Sequence, residues 1–211
     1  MAGESSRSAG ARVLPPLRDC IVPPVRVLFV GINPGVRSSL TGHHFAGYSN
    51  RFWKLLYESA LVPEPIRYAD DRRLPEWGFG ITNLVPRPTP GIDTLRREEY
   101  AAGARVLRRK VRRVKPAVVA FVGVTLFRSV FALPATRSSG RSASLSRSGR
   151  SASVSGERRP VRLGLQAETL EGAAVFVLPN PSGRNANFTY AEMLASFKAL
   201  ARWLKRAALN C

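Results

Sequence analysis

Cysteine is scarce: the 211-residue chain has two, Cys20 and Cys211. That excludes a four-cysteine zinc or iron–sulfur site and a disulfide framework, and both read as free thiols. Histidine is equally scarce, with only the adjacent pair His43 and His44. Neighbouring side chains point in different directions in most backbones, so the pair does not read as a metal site. We expect both at a pocket rim or on an exposed loop. Negative charge is short, with 14 Asp and Glu against 33 Lys and Arg, a net charge of +19. Such a balance points to a polyanionic partner, most simply nucleic acid, with an anionic membrane surface as the competitor. No apolar run approaches the length of a membrane span, the first residues hold no apolar signal core, and no helix has a large exposed apolar face. The expectation is therefore a protein without metal, cofactor or membrane partner, acting as a monomer, cytoplasmic and nucleoid-associated if bacterial.

What is present centres on Val27-Leu28-Phe29-Val30-Gly31-Ile32-Asn33-Pro34-Gly35. The apolar run reads as a strand over about 26–30, buried on both faces and broken by a Gly-Asn-Pro-Gly turn. A similar unit recurs at Val175-Phe176-Val177-Leu178-Pro179-Asn180-Pro181-Ser182-Gly183. Ligands of open α/β sheets sit beyond the carboxyl ends of such strands, so the two turns read as two lips of one site. Asn33 has an amide with a donor and an acceptor end and no useful charge. It can orient a water or hydrogen-bond a polar ring, which suits chemistry that positions water and stabilises a leaving anion. Backbone N–H groups near Ile32 and Asn33 can help to hold that anion. Asn180, Pro181, Ser182 and Gly183 form a short polar turn able to approach a phosphate backbone, and Arg184 beside it can probe a groove or neutralise phosphate.

Between these turns the sequence alternates strands and helices. Residues 1–24 read as a flexible basic arm and 25–206 as one domain. After a structured loop over 36–49, Ser49 is expected to cap a helix over 50–61 with Phe52, Leu55, Leu56 and Ser59 on one face. Strands follow at 79–84 and 117–123, with helices over about 93–114 and 125–131. Tyr100, Gly103, Ala104, Leu107, Val111 and Val114 share the apolar face of the longer helix. Its Arg105, Arg108, Arg109, Arg112 and Arg113 read as a solvated face, with a DNA-facing stripe as the alternative. About 134–160 is a Ser/Arg-rich insert with no capacity for a core. A hairpin then feeds the last buried strand, and Thr189-x-x-Glu192 is a capping box for the final helix. The whole implies a three-layer α/β/α sandwich with a mainly parallel central sheet.

Five blocks in order carry a family resemblance: Gly31–Gly35; Thr41-Gly42-x-x-Phe45-Ala46 with Asn50-Arg51-Phe52-Trp53-Lys54; Thr82-Asn83-Leu84-Val85-x-Arg87-Pro88-Thr89; and Leu178–Gly183. Together they closely resemble the mismatch-specific uracil-DNA glycosylases, the bacterial relatives of thymine-DNA glycosylase, over roughly 25–132 and 161–206. The resemblance implies the uracil-glycosylase fold and a monofunctional enzyme that flips uracil from duplex DNA at G:U or G:T type mismatches, hydrolyses the N-glycosidic bond and leaves an abasic site. It places Asn33 on the residue that positions the attacking water and Phe45 on the ring that stacks on the flipped base. Ile32 falls on a backbone contact in the pocket, and Asn180 to Arg184 on the loop that enters the duplex and reads the opposite guanine. The final motif lacks the His that conventional uracil glycosylases use to stabilise the uracil anion, which implies a slower enzyme. Asn83 and Arg184 resemble the thymine-glycosylase branch and imply a substrate range broader than uracil. Asp93, the single carboxylate between Val85 and Leu95, reads as the N-cap of the long helix, with water activation as the alternative. A non-catalytic nucleic-acid-binding protein on the same fold is the competing functional reading.

Overall fold

Hydrophobic alternation around a buried strand sets the layers. In the computed structural model, which describes residues 14–131 and 161–209, β1 (Val27–Gly31) is buried along its whole length. Successive side chains of a strand point to opposite faces. Val27 and Phe29 accordingly join one apolar cluster, while Leu28 and Val30 join another. β3 (Val118–Val122) and β5 (Ala173–Leu178) split in the same way. One face is covered by α2 (Phe52–Glu58), a 3-10 segment (Tyr68–Trp77) and α5 (Tyr190–Leu209). The other is covered by α3 (Arg97–Val114) and α4 (Val124–Phe131). This is the expected three-layer α/β/α sandwich.

The sheet runs β2 (Phe79–Asn83), β1, β3, β5, β4 (Gly164–Leu170). The first three pairings are parallel, and β4 returns antiparallel to β5 as the expected hairpin. The chain therefore lays β2 on one side of β1 and then crosses to β3 on the other. Such a reversal of direction opens a crevice at the carboxyl ends of the strands. Hydrogen bonding continues past the strand ends, from Leu84 N to Gly31 O (2.8 Å), Val85 N to Ile32 O (2.8 Å) and Thr89 N to Pro34 O (3.1 Å). The loop after β2 is thus fastened along the turn after β1.

Several local expectations need correction. The stretch 36–49 is not all loop: Val36–Thr41 forms α1, closed by Gly42 at φ 74°. Ser49 does not cap α2. Its N-cap is Arg51, preceded by Asn50, whose Oδ1 accepts from Phe52 N at 3.0 Å, and α2 ends at Glu58 rather than at 61. Asp93 does not cap α3. It lies in a separate 3-10 turn, Ile92–Thr94, and α3 starts at Arg97, where Glu99 accepts from Arg96 N at 2.9 Å. Residues 14–24 lie against the domain. Cys20 pairs with Ile81 on the outer edge of β2, and Asp19 binds both Thr82 Oγ1 and Lys110 Nζ at 2.6 Å. The Thr189–Glu192 capping box is present, with Glu192 Oε2 accepting from Thr189 N at 2.7 Å. The Ser/Arg insert lies outside the described residues. In the Arg run of α3, Arg108 and Arg112 are both tied to Glu171 at 3.3 Å, which favours the solvated-face reading.

One glycine fixes how closely α3 approaches the site loop. A Cβ built on Gly103 would collide with the carbonyl group of Leu84, the residue that bonds back to Gly31. Alanine in a helix interior ordinarily stabilises by about 1 kcal/mol over glycine. Here Gly103→Ala is expected to reverse that sign and destabilise by about 1–3 kcal/mol through overpacking. Urea unfolding of the two proteins checks it, and a higher midpoint for the variant would show that the helix can move away freely.

Candidate active site

At the carboxyl ends of β1, β2, β3 and β5 lies a cavity of about 640 Å³. It gathers Ile32, Asn33 and Phe45 with Asn83 and Asp93. From the second lip come Asn180, Ser182 and Arg184. Eight of the ten residues singled out in the sequence thus share one space. Pro181 and Gly183 do not line it. Pro181 is buried and its carbonyl accepts from Arg51 N at 3.0 Å. Gly183 lies so close to Ser49 that a Cβ would meet the Ser49 backbone oxygen at 2.9 Å. These two anchor the lip from beneath.

The Asn33 amide is fixed in one orientation. Its Nδ2 donates to Thr89 Oγ1 at 2.7 Å, Pro34 O at 3.1 Å and Arg87 O at 3.4 Å. Carbonyl oxygens only accept, so this end must be the NH2. The Thr89 hydroxyl donates its one proton to Gly91 O, which leaves it an acceptor for Asn33. The Oδ1 accepts no hydrogen bond from the described residues. The side chain therefore presents an acceptor to the cavity. Arg87 is itself held by Glu99, with Nε to Oε1 at 2.7 Å and Nη2 to Oε2 at 2.8 Å. Hydrogen bonds from the Arg87 side chain and the Arg96 backbone bring the Glu99 carboxyl down to about 2. Thr89, 3% exposed, is the functional position that sequence reasoning missed. It stands inside the fourth motif block, and an alternation of Pro and Thr gives no hint of which oxygen faces inward.

Gly31 lets the floor of the cavity close. A Cβ there would lie 2.6 Å from Asn83 Oδ1 and 3.4 Å from Phe45 Cζ. The absence of that atom allows the amide and the ring to converge beside Asn33. Phe45 stacks on Phe52 with centroids 4.2 Å apart, and its backbone takes φ 49°, a conformation disfavoured for a bulky residue. Its neighbours hold it there. His44 N donates to Asp71 Oδ2 at 2.9 Å, Trp53 Nε1 donates to His44 O at 3.2 Å, and Ala46 N donates to Ser38 Oγ at 3.1 Å.

Asp71 corrects the expectation for both histidines. His43 Nδ1 lies 2.9 Å from its Oδ1 and His44 Nδ1 lies 3.2 Å from its Oδ2. His44 is buried rather than on a rim or an exposed loop. Burial pushes the Asp71 carboxyl up, but the hydrogen bonds from His44 and His43 outweigh it and leave the group below its usual range. Trp53 and Phe52 are core residues, as expected. Asp93 is exposed and, among the described residues, is the only carboxylate lining the cavity, which none of their His, Cys or Lys side chains lines. Arg184 reaches across the mouth, its Nη1 donating to Pro90 O at 3.2 Å. Among the described residues no group of three or more His, Cys, Asp or Glu side chains is placed to hold a metal ion. No described helix is long and apolar enough to cross a membrane.

Fold and cavity together define an α/β protein with one polar cleft at its strand ends, built to orient a flat hydrogen-bonding group beside an acceptor amide. The chain belongs to the Uracil DNA glycosylase superfamily, whose profile matches residues 20–205. It is 37% identical over 167 residues to the G/U mismatch-specific uracil DNA glycosylase of Schizosaccharomyces pombe. That alignment covers 77% of this chain and 45% of the relative, so the chain spans less than half the length of that protein.

The Asp71 cluster gives a pH prediction. A carboxyl whose folded value lies below its unfolded value stabilises fully above the unfolded value, near 3.8, and loses that contribution as pH falls through the folded value. Asp71→Asn is expected to cost about 2 kcal/mol at neutral pH through the lost charge-assisted bonds. The gap from the native protein should narrow below about pH 4, as the native carboxyl is protonated. Thermal melts of both proteins from neutral to acid pH check this; a gap of constant size would rule out the linkage.

Proposed function

We propose that this protein is a monofunctional uracil-DNA glycosylase, acting as a monomer on uracil opposite guanine in duplex DNA. The observation that carries the reading is the Asn33 amide, pinned through Nδ2 with Oδ1 free toward a cavity that also holds Phe45 and Asn83. The target nucleotide leaves the base stack and enters this cavity. Its ring stacks against Phe45, and Asn83 hydrogen-bonds a polar edge of the base. Asn33 Oδ1 accepts from a water and holds it against C1′. The water forms the new C1′–O bond as C1′–N1 breaks, the electron pair leaves with uracil N1, and the water's second proton passes to solvent or to Asp93. No protein nucleophile is needed, so the product is an abasic site in an uncut strand.

The second lip supplies mismatch selection. Asn180 Oδ1 accepts from Ser182 N at 3.0 Å and Asn180 O accepts from Asn185 Nδ2 at 2.8 Å, a folded turn that carries Arg184 at its tip. Arg184 exchanges its bond with Pro90 O for contacts inside the duplex, beside the orphaned guanine. Among the described residues the cavity lining offers no imidazole for the departing anion, so a slow step limited by leaving-group stabilisation follows. The Asn83 amide, with donor and acceptor ends, extends the range to G:T and to modified cytosines. The net charge of +19 supports association with DNA throughout a nucleoid.

A panel of duplexes, each with one base opposite guanine, tests the reading by alkali-induced strand cleavage. G:U is expected to be cut, with weaker cutting of G:T and modified cytosines. Asn33→Ala should lose about a thousandfold in single-turnover rate. Thr89→Val, which removes the hydroxyl but not the shape, should lose about 10–100-fold through misorientation of the amide, with little change in DNA affinity. Absence of cleavage at G:U by the native protein refutes the activity, and cleavage confined to G:U refutes the broad range. Asp93→Ala decides the proton's route: a rate loss of about tenfold or more with unchanged melting assigns it to Asp93, whereas an unchanged rate assigns it to solvent.

A further inference from the structure

One basic side chain on the cavity has no part in the chemistry above. Arg37 lies on α1, four residues after Asn33, and lines the same cavity. Its guanidinium carbon sits 3.6 Å from the ring centroid of Tyr48 and 5.4 Å from that of Tyr68. Nη2 donates to Tyr68 Oη at 3.2 Å. Nε is buried with no partner, and Nη1 donates to no acceptor among the described residues. No carboxylate among them pairs with this cation. Tyr48, its cover, is 90% exposed, an unusual place for a large aromatic side chain unless it supports something.

The arrangement limits what Arg37 can bind. The Tyr48 ring covers one face of the guanidinium, and Tyr68 Oη takes one donor at its edge. What remains is the planar edge, a fork of N–H donors whose charge has been partly stripped of water. That edge matches two oxygens of a phosphate better than any neutral group. Stacking on Tyr48 and the bond to Tyr68 Oη also hold the fork in place before a ligand arrives.

We propose that Arg37, framed by Tyr48 and Tyr68, is a phosphodiester-binding subsite for the DNA strand that carries the flipped nucleotide. This rests on the glycosylase reading, because Asn33 then meets C1′ of the flipped sugar. Arg37, four residues on in the chain and lining the same cavity, faces a phosphate joined to that same sugar. Gripping it holds the nucleotide outside the stack while water attacks. Arg37 is a positioning residue: it touches the backbone and not the reacting bond.

The test uses a duplex with non-cleavable 2′-fluoro-2′-deoxyuridine opposite guanine and measures binding by fluorescence anisotropy across a salt series. Arg37→Met is expected to weaken binding about tenfold, as for loss of one charged hydrogen-bonded contact. The slope of log affinity against log salt should become shallower by about 0.9, one phosphate's worth of released counterion. Tyr48→Ala should weaken binding but keep the native slope, since the charge stays and only its framing is lost. Phosphates beside the fluorouridine are then replaced singly by uncharged methylphosphonates. One position should weaken the native protein about tenfold and cost Arg37→Met nothing. Native affinity and slope in Arg37→Met, or equal methylphosphonate losses in both proteins, overturn the subsite. Should Arg37→Met fail to fold, the methylphosphonate series on native protein and Tyr48→Ala decides: equal losses at every position overturn it. Native protein that excises uracil while Arg37→Met binds normally sinks this proposal alone, whereas native protein that neither binds nor excises sinks the glycosylase reading beneath it.

Discussion

Three oxygen atoms surround one end of the Asn33 side chain, and all the chemistry we assign depends on what they exclude. Thr89 Oγ1, Pro34 O and Arg87 O leave that end only the NH2. The opposite end must then be a carbonyl turned to the cavity. An amide free to rotate would offer a donor half the time and would hold an attacking water badly. Here orientation is set before substrate arrives, so the cost of ordering is met in folding and not in the transition state. Each oxygen is fixed in turn: Pro34 O also accepts from Thr89 N, and the Arg87 side chain is clamped by Glu99. The site is therefore an extension of the sheet, continued past the ends of β1 and β2 by backbone bonds.

The same logic explains the other wall. Phe45 adopts a left-handed backbone that a phenylalanine does not choose for itself, and strain of this kind persists only where surroundings over-determine it. Asp71, Trp53 and Ser38 supply that surrounding, each through a bond to the chain beside Phe45. Gly31 then removes the one atom that would keep Phe45 and Asn83 apart. Rigid walls suit the selection by shape and hydrogen bonding that we propose for this site. Among the described residues, positive charge reaches the cavity from Arg37 and Arg184, on the path proposed for the DNA strand.

Legibility in the sequence followed periodicity and chemistry of single residues. The buried run of β1, the apolar face of α3 and the Thr189–Glu192 box each announce themselves within a few residues, and each stands where expected. Asn33 was legible because two Asn-Pro turns follow two buried strands, and the family resemblance then gave the amide one role. The 3-10 segment Tyr68–Trp77 was not, since it has no apolar period and contains Pro75. With it went Asp71, which in the sequence is one acid among several and in the fold is 2% exposed beneath both histidines. Thr89 and Arg37 were missed for the same reason: their roles arise from partners 56 and 31 residues away. Asp93 misled because an acid before a helix usually caps it, while Glu99 had taken that task three residues inside the helix start.

The account stands or falls on water, held by Asn33, being the nucleophile. Mass spectrometry of the products from a G:U duplex tests this most directly, with and without borohydride during the reaction. The account predicts free uracil and a full-length strand bearing an intact abasic site, with no protein trapped on DNA. A borohydride-trapped adduct, a strand broken by the protein itself, or no free uracil would contradict it.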